Sequence, residues 1–176
     1  MLELAAKFIL ETKTMTTETS FEMTGYAKRK YNVTAPINVD VARNYLRAVV
    51  AIASADGELA QEEIDWFMEE QQQMGTPSDL LEENVINFDG KNADIEQLLS
   101  AIHYDFSINV GHSMLYQAIK MSRADGVYHE KEKAAVDRAA EILGIERKVV
   151  VSLESLAEIE ESADRLRLAI FETDVE

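Results

Sequence analysis

From Asn38 onward the apolar positions of the chain recur every three to four residues, the spacing that puts them on one face of a helix. Val41, Tyr45, Leu46, Val49, Val50 and Ala53 make a first such face, which Asp56-Gly57 interrupts. Ile64, Phe67, Met68 and Gln71 make the inner face of a second helix, predicted over about 60–74 and closed by Gly75, a residue suited to a left-handed C-terminal cap. Thr76-Pro77 reads as an N-cap followed by proline in the first turn, opening a third helix that runs to about Asn87. A fourth, about 94–107, would present Ile95, Leu98, Leu99, Ile102 and Phe106.

The same pattern then returns. ASADGELAQEE at 53–63 reappears as SRADGVYHEKE at 122–132, and a displacement of 69 carries Asp56 to Asp125 and Glu63 to Glu132. It also carries Leu46 to Leu115, Val50 to Ile119, Met74 to Leu143 and Gly75 to Gly144, so helices, loop and cap repeat together. ADIEQLLSAI at 93–102 resembles SADRLRLAI at 162–170 with a slip of one residue. The reading is an all-α fold of seven to nine helices, in which two pseudo-repeated helical bundles, 38–107 and 108–175, pack into one globular domain over 37–176. Residues 1–36 lie outside the repeat. TKTMTTETS is polar, and the stretch is expected to be a weakly structured arm or a docking helix whose apolar head (Leu2, Leu4, Phe8, Ile9, Leu10) could bind the body or a second copy.

Charge narrows the partners. The net charge is −16; through Thr34 five basic residues stand against four acidic ones, +1, which leaves −17 on the rest. Such a surface repels phosphate backbones and anionic lipid while gathering cations, so nucleic acid and direct membrane insertion are excluded, and divalent metals and basic protein surfaces are favoured. With no cysteine there is no disulfide or thiolate chemistry, and with no long apolar run and no basic leader the expected compartment is the cytoplasm.

The repeated loop is the candidate site. With Asp56 at position 5 of a calcium-binding EF-hand loop, Gly57, Glu58, Leu59 and Glu63 fall at 6, 7, 8 and 12; Asp125, Gly126, Val127, Tyr128 and Glu132 do the same in the second copy. Positions 1 and 3 would be Ile52 and Ser54, or Met121 and Arg123, which supply no carboxylate. Each loop is therefore half a site, left to recruit water, Glu62, Glu130 or the other loop for a divalent cation such as Ca²⁺, Mg²⁺ or Zn²⁺. The metal-free reading takes the aspartates as turn acceptors and the glutamates as charges favoured in a first helical turn. Asp89-Gly90 with Glu96 has the same spacing without a repeat partner, so the motif gains weight only from being doubled.

Catalysis has no candidate: GxxxxGK[ST], GxSxG and HExxH are absent, so an enzyme is not expected. His103 and His112, nine apart across a predicted break at Gly111, fit surface positions better than a metal pair; His129 lies in the second loop as a ligand or a cap. Trp66, Phe67 and Met68 are expected in the core.

The doubled Ala-Asp-Gly followed by Glu62-Glu63 or by Glu130 and Glu132, with a Met-Gly or Leu-Gly helix end, resembles the tellurite-resistance TerB family over about 38–172. The resemblance implies an all-helical domain of two pseudo-repeats, divalent-cation binding at Asp56, Glu62, Glu63, Asp125, Glu130 and Glu132, and a stress-associated role in protein complexes that include membrane-associated partners. Related domains accompany DnaJ-like co-chaperones, so a metal-free adaptor is the alternative. Tellurite itself is an oxyanion that this surface repels, and its reduction usually needs thiols that the chain lacks. Homodimerisation stays open.

Overall fold

The computed structural model describes residues 19–100 and 108–172. Eight α-helices occur among them: α1 (Gly25–Tyr31), α2 (Val39–Ala53), α3 (Gln61–Met74), α4 (Ser78–Leu81), α5 (Ile95–Ser100), α6 (Ile108–Ser122), α7 (Glu130–Ile142) and α8 (Arg147–Phe171). The expected all-α fold is the observed one. Strand is confined, among the described residues, to two antiparallel residue pairs, Ser20 with Asn38 and Phe21 with Ile37. None of the described helices is long and apolar enough to cross a membrane.

The repeat is visible in the element boundaries. Adding 69 to the ends of α2 gives those of α6, and adding it to the first residues of α3 and α4 gives those of α7 and α8. The helices α2 and α6 form the centre, packed on each other: Ala48–Ala53 are all buried on one and Ser113–Met121 on the other. A helix covered all round has few exposed polar positions, which accounts for the apolar runs RAVVAIA and MLYQAI. Phe67, Leu81, Val85, Leu99, Val136, Val150 and Ala157 complete the core from the surrounding elements.

Several expectations change in the folded chain. The helix α6 runs straight through Gly111 instead of breaking there; a Cβ at this position would lie 3.2 Å from Ile145 Cδ1, so glycine serves close packing. Thr76 does not cap: Pro77 holds the N-cap position, and the Thr76 hydroxyl donates to Gln71 Oε1 at 2.7 Å. The third helix of the first repeat is α for one turn, then π over Glu82–Ile86. Of Trp66, Phe67 and Met68 only Phe67 is fully buried, the other two being half-buried. His103 and the end of the fourth predicted helix lie outside the described residues, as do Leu2, Leu4, Phe8, Ile9 and Leu10.

Residues 19–36, part of the stretch expected to be a weakly structured arm or a docking helix, pack on the body through α1. Thr24 caps α1 and donates its hydroxyl to Gln73 O at 2.5 Å, and its amide donates to Met74 O. Glu70, buried on α3, accepts from Tyr26 Oη (2.8 Å), Tyr31 Oη (2.5 Å) and Lys30 Nζ (3.2 Å). The lysine also lies 5.4–5.8 Å from the ring centres of Tyr26, Tyr31 and Tyr116. A buried carboxylate needs such partners, and α1 brings them. The arm is ordered by polar contacts that hydrophobic periodicity does not register.

Candidate carboxylate site between the repeats

Each central helix ends in the same turn. The amide of Ala55 donates to Ile52 O and that of Gly57 to Ser54 O; 69 residues on, Ala124 donates to Met121 O and Gly126 to Arg123 O, all within 3.0–3.1 Å. Gly57 (φ +104°) and Gly126 (φ +92°) occupy the left-handed region that this turn demands. Behind each glycine the aspartate closes an Asx turn: Asp56 Oδ1 accepts from Glu58 N at 2.9 Å, Asp125 Oδ1 from Val127 N at 2.8 Å. Leu59 and Tyr128 then anchor the loops on the core.

Next in each copy stands a helix N-terminus without a polar cap side chain. Ala60 has no acceptor, and His129 makes no side-chain cap bond. The third helical residue bends back instead: Glu63 Oε2 accepts from Ala60 N, and Glu132 Oε2 from His129 N, both at 2.7 Å. This bending drives the two glutamates inward, where they are 4% and 1% exposed.

There the two loops meet. Burial pushes the Glu63 carboxyl up to about 7 against the opposing pull of the Ala60 amide, and the charges of Glu132, Asp125 and Asp56 raise it further. Burial pushes Glu132 up to about 7 in the same way, opposed by the His129 amide, with Asp56 and Asp125 adding to the rise and a hydrogen bond from Glu63 offsetting part of it. Two buried carboxyl groups this close repel each other when both are ionised. His129 Nε2 reaches across the repeats to Asp56 Oδ2 at 3.5 Å.

Of the six candidate residues, the fold thus brings Asp56, Glu63, Asp125 and Glu132 together. Glu62 is exposed, and Glu130, on the open side, pairs with Lys133 at 2.6 Å. His112 is remote from the loops, half-buried in a cleft with Arg29, Lys30 and Tyr116. Glu96 of the Asp89-Gly90 segment forms an ion pair with Arg138, and Gly90 is buried against α2, where a Cβ would stand 2.7 Å from Ser54 Oγ and 2.9 Å from Val50 O. That segment is a packing element.

Sequence reasoning did not find the cross-repeat contact of His129 with Asp56, nor the burial of the two glutamates. The missing side-chain cap at Ala60 and His129 was the available signal, since it obliges Glu63 and Glu132 to turn back.

The donors are all hard oxygens with one imidazole beside them, a set that suits Ca²⁺ or Mg²⁺ better than a thiolate-seeking metal. Among the described residues, no three His, Asp or Glu side chains converge closely enough to hold an ion as they stand. One oxygen of each of the four carboxylates is engaged by a backbone amide.

The family model described as "Tellurite resistance protein TerB" matches residues 67–154, a span that contains the second loop and begins just after the first. The crystal structure of a tellurite resistance protein from Nostoc punctiforme superposes with a TM-score of 0.67 and 26% identity, covering 86% of this chain and 93% of that one. No curated protein matches the sequence. With half of the chain matched by the family model and the two-repeat fold shared with that neighbour, this chain belongs to the TerB family of tellurite resistance proteins.

Proposed function

We propose that the chain is an acidic, non-enzymatic protein-interaction module of the cytoplasm that takes up a divalent cation where its two Ala-Asp-Gly loops meet. In this reading it serves a stress response, of the kind implied by the neighbour's description as a tellurite resistance protein, through complexes with partners that carry basic surfaces. The observation that carries the reading is the juxtaposition of Glu63 and Glu132, buried together and flanked by Asp56 and Asp125. Glu63 and Glu132 are buried, Asp56 is half-buried and Asp125 exposed; like charges gathered there repel one another, and either a proton or a cation relieves them. Glu63, Glu132, Asp56 and Asp125 would hold the ion, with Glu62 and Glu130 at the rim gathering cations electrostatically. The ion supplies charge neutralisation and a cross-link between the repeats. Because Glu63 and Glu132 are raised to about 7, binding would displace a proton from this pair, so uptake is linked to pH.

The test is calorimetric titration with Ca²⁺, Mg²⁺ and Zn²⁺ in buffers of different ionisation enthalpy. Saturable heat that reports release of about one proton, and that disappears in Asp56→Asn/Asp125→Asn and in Glu63→Gln/Glu132→Gln, is expected. Weak heats that are equal in all three proteins would reject the site.

The amide bonds of the four carboxylates favour a second reading, a metal-free adaptor. There the loops are caps, the His129–Asp56 contact clasps the repeats, and basic partners are met by the acidic surface alone. Equal affinity for a basic partner with and without chelator would support it.

A further inference from the structure

The two repeats diverge after their third helix. In the first, the chain breaks after Leu81, passes through the π segment and a 3₁₀ turn at Gly90–Asn92, and returns as α5, which packs on α2 and α7 and buries Leu99. In the second, the counterparts of α4 and α5 are one uninterrupted 25-residue helix, α8, whose residues 162–171 are all exposed. The pseudo-symmetric place for a returning fourth helix, against α6 and α3, is taken by α1. The end of α8 is left displaying apolar side chains: Ile159 is 66%, Leu166 62%, Leu168 71%, Ile170 66% and Phe171 75% exposed. Ten exposed helical residues gain little from local hydrogen bonding alone, and large exposed apolar side chains concentrated there call for a cover.

We propose that this cover is a second copy of the same chain, with α8 pairing antiparallel on α8 about a twofold axis near Ala163. Leu156, Ile159, Ala163, Leu166 and Ile170 are spaced 3, 4, 3 and 4 residues apart, the spacing of a two-helix seam. At 100° per residue this stripe lies on the side of α8 opposite Val150 and Ala157, the residues buried against the body, so two bodies sit on the outer sides of the pair. Antiparallel pairing sets Leu156 against the partner's Ile170 and Ala163 against itself, where a small side chain lets the helices approach, and brings Ile159 within one residue of the partner's Leu166. One flank of the stripe carries Glu160 and Arg167; within the chain they contact Tyr116 and Asp164, and across the axis each meets the opposite charge. The other flank is small and uncharged, Ser155, Ser162 and Ala169. Along the seam, residues 156–170, the charged residues are Glu158, Glu160, Glu161, Asp164, Arg165 and Arg167, so the stretch carries −2 of the chain's −16 and two copies meet there with little of the whole protein's repulsion.

Sedimentation equilibrium across the micromolar range tests it. The expected species is twice the 19.8 kDa chain, converted to monomer by Leu166→Glu with unchanged circular dichroism, since Leu166 touches solvent and not the core. Glu160→Arg and Arg167→Glu should each weaken the dimer about tenfold through two like-charge contacts, and the double exchange should restore it. Because the chain has no cysteine, Ile159→Cys and Leu166→Cys chains can be mixed: cross-linking in the mixture and not in either alone gives the antiparallel register. A monomer at all concentrations, cross-linking of each variant with itself, or loss of the dimer on deleting residues 1–18, which would assign the seam to that segment, overturns the proposal.

Discussion

Replacing Glu132 by glutamine probes the site through stability, without any ligand. The isosteric amide keeps an oxygen to accept from His129 N and an NH₂ to donate to Glu63, so the geometry of the helix start survives. What it removes is one of two ionisable groups raised from 4.5 to about 7. A carboxyl whose folded-state pKa lies above its unfolded value favours the fold while protonated. That contribution is therefore full below about pH 4.5 and is lost as pH rises through 7. A rise of this size corresponds to about 3 kcal/mol for a single group, and because each glutamate is raised in part by its carboxylate neighbours we assign about 3 kcal/mol to the pair and not to each. The glutamine variant should thus equal the wild type within ~0.5 kcal/mol at pH 4.5 and exceed it by about 2 kcal/mol at pH 8. Urea unfolding in the presence of a chelator at a series of pH values reads this difference, and the common repulsion of the other carboxylates cancels in it. Saturating Ca²⁺ should then restore the wild type at pH 8 and act weakly on the variant. A variant that is destabilised equally at every pH would refute the reasoning, because it would make Glu132 a hydrogen-bonding cap and nothing more.

Further outcomes follow from the packing. Gly75→Ala forces a side chain onto φ +99° with its Cβ 2.9 Å from Thr24 Cγ2 and 3.3 Å from Glu22 O, so it should cost about 2–3 kcal/mol; Gly57→Ala, at φ +104° with open space around it, should cost only about 1 kcal/mol, both read from urea midpoints. Glu70→Ala strands Tyr26, Tyr31 and Lys30 and should cost about 2–3 kcal/mol, with amide exchange accelerating in α1 before any other element. Arg123→Lys loses the two-pronged contact with Glu161 (2.8 and 2.9 Å) that ties α8 to the second loop; a loss of about 1 kcal/mol that shrinks in high salt is expected in thermal melts.

The repeat was legible because it lives in spacing. A displacement of 69 that preserves Asp-Gly, the closing glutamate and the glycine cap constrains backbone geometry directly, and the folded turns match bond for bond. The loops were legible as half-sites for the same reason. Less legible was which acidic residues face inward. Glu62 and Glu63 are neighbours in sequence, yet only Glu63 turns back to an amide, and the difference lies in helical phase together with the missing cap at Ala60. How the arm is held escaped, because its hold on the body is a buried carboxylate served by two tyrosines and a lysine some 40 residues away, a contact that leaves no periodic trace.

By itself, then, the amino-acid sequence determined the helical class, the duplication, the turns and the sign of the surface, all of which follow from local backbone preferences and summed charge. Tertiary structure decided the rest. It set two loops 69 residues apart face to face, so that Glu63 and Glu132 came to share burial and to be raised to about 7. It also gave the slot beside α6 and α3 to α1, leaving the last turns of α8 uncovered. Burial and proximity across the chain depend on how the elements pack, and no window of neighbouring residues contains that information.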